Sequence, residues 1–129
     1  MTKLSNYRWD KKKILVVEDD ESSAFLLGEI LRETGALVNY RTDGESAVAY
    51  MRNNPETDLI LMDVLLPEMD GFTATREIKT FARNVVVIAQ TAYAFSIDHQ
   101  QARLAGCDAF LTKPLCPSVL LDKIDSFLS

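Results

Sequence analysis

Five short apolar runs alternate along the chain with five longer stretches in which apolar residues recur every three or four positions. The runs are Ile14-Leu15-Val16-Val17, Leu37-Val38-Asn39-Tyr40, Leu59-Ile60-Leu61-Met62, Val85-Val86-Val87-Ile88-Ala89 and Ala109-Phe110-Leu111. The first, third and fourth are apolar throughout, as strands covered on both faces must be. The second is mixed, which predicts a position at the edge of a sheet.

The longer stretches carry helix signals. Asp20-Glu21-Ser22 places acids and a cap ahead of a helix with Leu27, Ile30 and Leu31 on one face, closed by Gly35. Asp43 is the predicted cap of a helix that runs through Met51 and stops before Pro55. A third helix is predicted from Phe72 to about Phe81, after a loop from Pro67 to Gly71. Ser96 precedes a rather polar fourth helix that ends at Gly106. Pro117 suits the first turn of a last helix with Leu120, Leu121, Ile124, Phe127 and Leu128 facing inward. Strict alternation of strand and helix predicts an α/β fold with a parallel sheet covered on both faces. Five strands of this length predict a flavodoxin-like (βα)5 doubly wound sheet in the order 2-1-3-4-5. One domain is expected over residues 12–129, after a leader at 1–11.

Composition narrows the functional classes. The chain of 129 residues suits one domain with a substantial core. No apolar run approaches the ~18 residues needed to span a bilayer, and the polar N-terminus lacks the hydrophobic centre of a signal peptide. A cytoplasmic protein with no membrane partner is therefore expected. Cys107 and Cys116 form neither a CxxC pair nor a ligand cluster and are expected as reduced thiols. A net charge of −5, with Lys11-Lys12-Lys13 as the sole basic cluster, argues against a nucleic-acid surface. The single histidine, His99, is expected exposed on a helix face.

The chemistry is concentrated at strand ends. In a doubly wound sheet, ligands bind beyond the carboxyl ends of the strands, at the switch point between the first and third. There the first run ends in Glu18-Asp19-Asp20 and the third in Asp63, so three or four carboxylates converge in the predicted order. Acids that close repel one another unless a cation neutralises them. An oxygen-rich set of this kind suits Mg2+, which takes one or two carboxylates together with water and phosphate oxygens; Mn2+ is the alternative. The fourth run continues as Gln90-Thr91-Ala92 and brings a hydroxyl to the same rim. The fifth ends in Thr112-Lys113-Pro114 and brings a cation, with Pro114 able to take a cis bond. A strand-end acid or a strand threonine alone argues little. Acids, hydroxyl and ammonium together make a site for a tetrahedral oxyanion.

From about Lys12 to Leu128 the chain resembles the receiver domains of bacterial two-component signalling. The resemblance rests on Ile14-Leu15-Val16-Val17-Glu18-Asp19-Asp20, on Met62-Asp63-Val64-Leu65-Leu66-Pro67-Glu68-Met69-Asp70-Gly71, on Thr91-Ala92 and on Lys113-Pro114, in that order. It implies that Asp63 is the phosphoacceptor. It implies that Glu18 and Asp19 are the acidic pair, with Asp19 the more direct metal ligand, and that the Leu65 backbone carbonyl is a further ligand. Thr91 would report phosphorylation, Lys113 would contact the phosphoryl group, and Phe110 would be the switch aromatic where the family commonly has Tyr. Leu65 and Tyr93 match positions that tune phosphoryl lifetime. Both are bulky, so a long-lived acyl phosphate is expected. Asp20 is left as a helix cap.

The partners implied are a sensor histidine kinase or a histidine phosphotransfer protein as donor, and a downstream protein target. A monomer or weak dimer is expected. The chain is then a signalling domain that catalyses its own phosphorylation and dephosphorylation. An intermediate relay station, passing the group on to a histidine phosphotransfer protein, is the alternative within the family. Tyr7-Arg8-Trp9-Asp10 resembles the linker ahead of receivers in hybrid sensor kinases. An aspartyl-nucleophile phosphohydrolase is a distant rival, because Leu65 stands where such enzymes commonly carry a second acid. The chain has no GxxxxGK[ST] segment, which excludes a P-loop NTPase.

Overall fold

The computed structural model of the chain describes residues 7–66, 69–91 and 96–128, with residues 96–98 described by their backbone only. Strands and helices alternate as β1 (Lys13–Val17), α1 (Glu21–Arg32), β2 (Leu37–Arg41), α2 (Gly44–Asn53), β3 (Leu59–Asp63), α3 (Gly71–Phe81), β4 (Val86–Thr91), α4 (Ser96–Ala105), β5 (Ala109–Thr112) and α5 (Pro117–Leu128). The strands form one parallel sheet in the order β2-β1-β3-β4-β5. This is the doubly wound order that the alternation of runs predicts, with mixed β2 at an edge.

The continuous apolar runs follow from the two-sided burial. Along β1, Ile14 and Val16 face a cluster built with α1 and α5, while Leu15 and Val17 face a second cluster built with α2 and α3. Along β3, Leu59 and Leu61 share the first cluster, and Ile60 and Met62 the second. A strand alternates its side chains between faces, so an all-apolar run is the signature of a strand with helices on both.

Helix starts are set by local capping. Asp20, Asp43 and Asp70 each accept the backbone N–H of the residue three further on, at 2.9, 2.8 and 2.8 Å. Such caps contribute ~1 kcal/mol each. After α1 the chain turns through Gly35 at φ +87°, a left-handed geometry that glycine adopts without a Cβ clash.

Two features depart from the periodicity. Phe127 was expected inward but is 38 % exposed, whereas Leu128 packs against the core. At about 3.6 residues per turn, position 128 falls closer than 127 to the centre of the stripe set by Leu120, Leu121 and Ile124. The second departure lies ahead of β1. Trp9 is buried against α1 and α5, its N–H donates to the Thr34 carbonyl at 2.8 Å, and its indole Nε1–H donates to Asp125 at 2.8 Å. The Tyr7 hydroxyl bonds to Asp122. Among the described residues, no helix is long and apolar enough to cross a membrane.

Candidate functional site

Parallel pairing aligns the carboxyl ends of β1, β3, β4 and β5 on one rim. Val17 is in register with Met62, Asp63 with Gln90, and Thr91 with Thr112, so the residues that follow β1 and β5 meet Asp63. Oxygens of Glu18, Asp19 and Asp63 lie within 4.8 Å of one another. Glu18 and Asp63 are buried, at 2 % and 5 % exposure, while Asp19 is exposed. The ammonium of Lys113 lies 3.0 Å from Glu18 Oε1 and 3.5 Å from Asp63 Oδ2. The Lys113–Pro114 bond is cis, and the Lys113 N–H donates to the Thr91 carbonyl at 2.7 Å, tying the end of β5 to β4.

Backbone amides hold the remaining carboxylate oxygens. Glu18 Oε2 accepts from the Asp20 N–H at 3.2 Å, and Asp63 Oδ1 accepts from the Leu65 N–H at 3.2 Å. Gly71 closes against this loop: a Cβ there would lie 2.2 Å from the Asp63 carbonyl oxygen, so only glycine fits. Asp20 turns away to cap α1 through the Ser23 N–H and hydroxyl, which hold its carboxyl below the usual range.

The charges at the rim do not balance. Burial pushes the Glu18 carboxyl above its ordinary value; the Lys113 bond and the Asp20 amide pull it back only in part, and Asp63 raises it further. Burial also draws the Lys113 ammonium down, yet its bond to Glu18 and the charge on Asp63 outweigh that and leave it raised. Three acidic groups thus cluster here, and Lys113 pairs with two of them, Glu18 and Asp63. A compact, all-oxygen site with surplus negative charge fits a hard divalent cation such as Mg2+.

The other expected positions fall around this centre. Thr91 is buried at the end of β4. Leu65 is 56 % exposed beside Asp63. Phe110 is half-buried against Val64, Phe72, Ala89, Ala102 and Ala105. His99 is exposed as expected, but its ring centroid lies 4.2 Å from that of Phe110. Tyr93, Pro67 and Glu68 lie outside the described residues. Cys107 and Cys116 are both free thiols.

One residue at the rim carried no expectation. Gln90 is 1 % exposed, and neither its Oε1 nor its Nε2 has a hydrogen-bond partner among the described residues. It lines a groove between α1 and the β5–α5 loop together with Glu18 and Lys113. A polar amide directly after the apolar run Val85-Val86-Val87-Ile88-Ala89 was the available signal.

A family model described as the response regulator receiver domain matches residues 14–125. The polar-differentiation response regulator DivK of Brucella anthropi is 33 % identical over 119 residues, covering 91 % of this chain and 96 % of that protein. Among solved structures, the receiver domain of the sensor histidine kinase PA1611 from Pseudomonas aeruginosa, with a magnesium ion coordinated in its active-site cleft, is 34 % identical at a TM-score of 0.84, covering 92 % of this chain and 98 % of that one. The receiver domain of Ssk1 from Saccharomyces cerevisiae, crystallised with the histidine phosphotransfer protein Ypd1, is 29 % identical at a TM-score of 0.87, covering 93 % and 90 %.

Proposed function

This chain belongs to the response regulator receiver domain family, and from that premise we propose that it takes a phosphoryl group from a phosphohistidine onto Asp63 in an Mg2+-dependent reaction. The donor is a sensor histidine kinase or a histidine phosphotransfer protein, and the modified domain presents an altered surface to a downstream protein. The observation that carries this reading is the cluster of Glu18, Asp19 and Asp63 at the carboxyl rim of the sheet, with Lys113 paired to Glu18 and Asp63.

A carboxylate oxygen of Asp63 attacks the phosphorus in line, the phosphorus–nitrogen bond breaks, and the electron pair leaves with the imidazole. The Leu65 N–H orients the attacking carboxylate. Lys113, already between Glu18 and Asp63, turns to the phosphoryl oxygens and offsets their charge. Glu18, Asp19, Asp63 and the Leu65 carbonyl would hold the metal, which when bound supplies positive charge against the phosphoryl oxygens. Water later attacks the acyl phosphate and restores the carboxylate, so the domain catalyses both gain and loss of its mark. Thr91 turns toward the added oxygens and Phe110 moves inward behind it, which shifts a two-state balance. The exposed side chains of Gln100, Gln101, Arg103 and Leu104 on α4 form the surface that changes.

A relay role is the second reading. Its support is the similarity to a histidine-kinase receiver and to a receiver crystallised with a phosphotransfer protein. Incubation with acetyl phosphate and Mg2+ should add one phosphate to the intact mass, and Asp63→Asn should abolish the gain. An equal gain in the mutant overturns the assignment. Return of label from the domain to a histidine phosphotransfer protein distinguishes relay from output.

A further inference from the structure

Phe110 is the moving part of the proposed switch, and a neighbouring ring bears on where it rests. Phe110 is half-buried, packed against a cluster made by Val64, Phe72, Ala89, Ala102 and Ala105. It is the register partner of Ala89, as Thr112 is of Thr91. Side chains alternate between faces along a strand, so Thr91 and Phe110 share one face of the sheet on adjacent strands. The ring of Phe110 also meets His99 of α4, with centroids 4.2 Å apart and planes inclined at 56°. His99 is exposed, and both residues line one surface groove together with Arg103 and Asp108. The contact therefore lies on the solvent side of Phe110, opposite the alanines of the cluster.

We propose that His99 is a positioning residue that latches Phe110 in its outward, resting place, and that the latch opens when the domain is modified. The proposal rests on the reading that Asp63 is phosphorylated, in which Thr91 turns to the added oxygens and Phe110 moves inward behind it. Inward movement carries the ring away from the groove and from His99. A contact made in one of two states stabilises that state alone, so the ring pair weights the balance toward the unmodified domain. Phe110 has no hydroxyl to hold its outer edge in water, and an apolar ring at the surface gains from a cover. An imidazole suits that place, since it offers an apolar body to the ring and a polar tip to water. A tilted aromatic pair of this kind shifts a two-state equilibrium about 2- to 10-fold.

The test combines a direct probe of the contact with a mutant cycle. NMR cross-peaks between the ring protons of His99 and Phe110, present in the free protein, should vanish when beryllofluoride and Mg2+ are added. His99→Ala should lower the half-saturating beryllofluoride concentration about 2- to 10-fold, read by 19F NMR in excess Mg2+. His99→Phe keeps a ring at the position and should return half-saturation toward the wild-type value. In a Phe110→Leu background, His99→Ala should leave half-saturation unchanged, because its partner ring is gone. A merely structural histidine would lower the thermal midpoint and leave half-saturation where it was, which overturns the proposal. Cross-peaks that persist in the beryllofluoride state overturn it too, as does an equal effect of His99→Ala in both backgrounds. If the wild type shows neither a bound fluoride signal nor an added phosphate by intact mass, the phosphorylation reading itself fails and this proposal falls with it, a result distinct from the others.

Discussion

The indole N–H of Trp9 donates to the carboxylate of Asp125 at 2.8 Å, joining a residue ahead of the first strand to the last helix. The ring is 3 % exposed among Leu27, Ile30, Leu31, Leu120, Leu121 and Ile124. An aromatic with a polar handle satisfies both needs when its N–H finds a partner inside. Trp9→Ala should therefore destabilise the domain by about 3–5 kcal/mol. Asp125→Ala should cost about 1–3 kcal/mol, mostly through the indole N–H it leaves unpaired. Urea titrations followed by far-UV circular dichroism check both values. Equal stability of Trp9→Ala and the wild type would show that the segment before β1 is not docked in solution.

Lys113 acts in opposite senses on metal and phosphoryl group. Its charge competes with a cation for Glu18 and Asp63 at rest, yet supports the phosphoryl oxygens in the transition state. Lys113→Ala should bind Mg2+ a few-fold more tightly, because three carboxylates then repel one another with no internal counter-charge. Its phosphorylation rate should fall about 100-fold or more, in line with loss of a charge-stabilising donor. Calorimetric titration with Mg2+ and phosphate incorporation from acetyl phosphate separate the two effects.

The raised Glu18 carboxyl sets a pH dependence with a definite sign. Its folded value lies above the reference of 4.5, chiefly through burial. In the metal-free protein, its contribution to stability is therefore fully present below 4.5 and is lost as the pH rises through the higher folded value. Mg2+ needs the ionised carboxylate, so metal binding releases a proton in that same window. The thermal stabilisation by a fixed Mg2+ concentration should shrink as the pH falls through the raised Glu18 value toward 4.5. Thermal scans with and without metal across this range check the sign. A metal effect that grows on acidification would contradict it.

Gly71 presses its Cα against the loop that carries Asp63. Gly71→Ala would place a Cβ 2.2 Å from the Asp63 carbonyl oxygen, too close to accommodate without backbone movement. A loss of about 1–3 kcal/mol is expected from the overpacking. Displacement of Asp63 should also slow phosphorylation more than the small loss of stability explains. Rates measured well below the melting midpoint distinguish displacement from unfolding.

The sheet order and the carboxylate cluster were legible in the sequence because each depends on local pattern. Apolar runs covered on both faces mark β1, β3 and β4, and their alternation with helices restricts the connections to a few right-handed arrangements. Once the order is given, Glu18, Asp19 and Asp63 must meet, since strand ends in a parallel sheet share one rim. The caps Asp20 and Asp43 were legible for the same reason: each acts on the N–H three residues on.

What only the tertiary structure decided is how distant side chains pair. Nothing in the order Tyr7-Arg8-Trp9 indicates that Trp9 would find Asp125 or Tyr7 would find Asp122. The tilted contact between the His99 and Phe110 rings and the placing of Gln90 in one groove with Glu18 and Lys113 were equally hidden. Periodicity tells which face of an element is covered, because burial of apolar surface is non-directional and counts only area. Hydrogen bonds and ion pairs need atoms at set distances and angles, and those are fixed only when every helix has taken its place on the sheet.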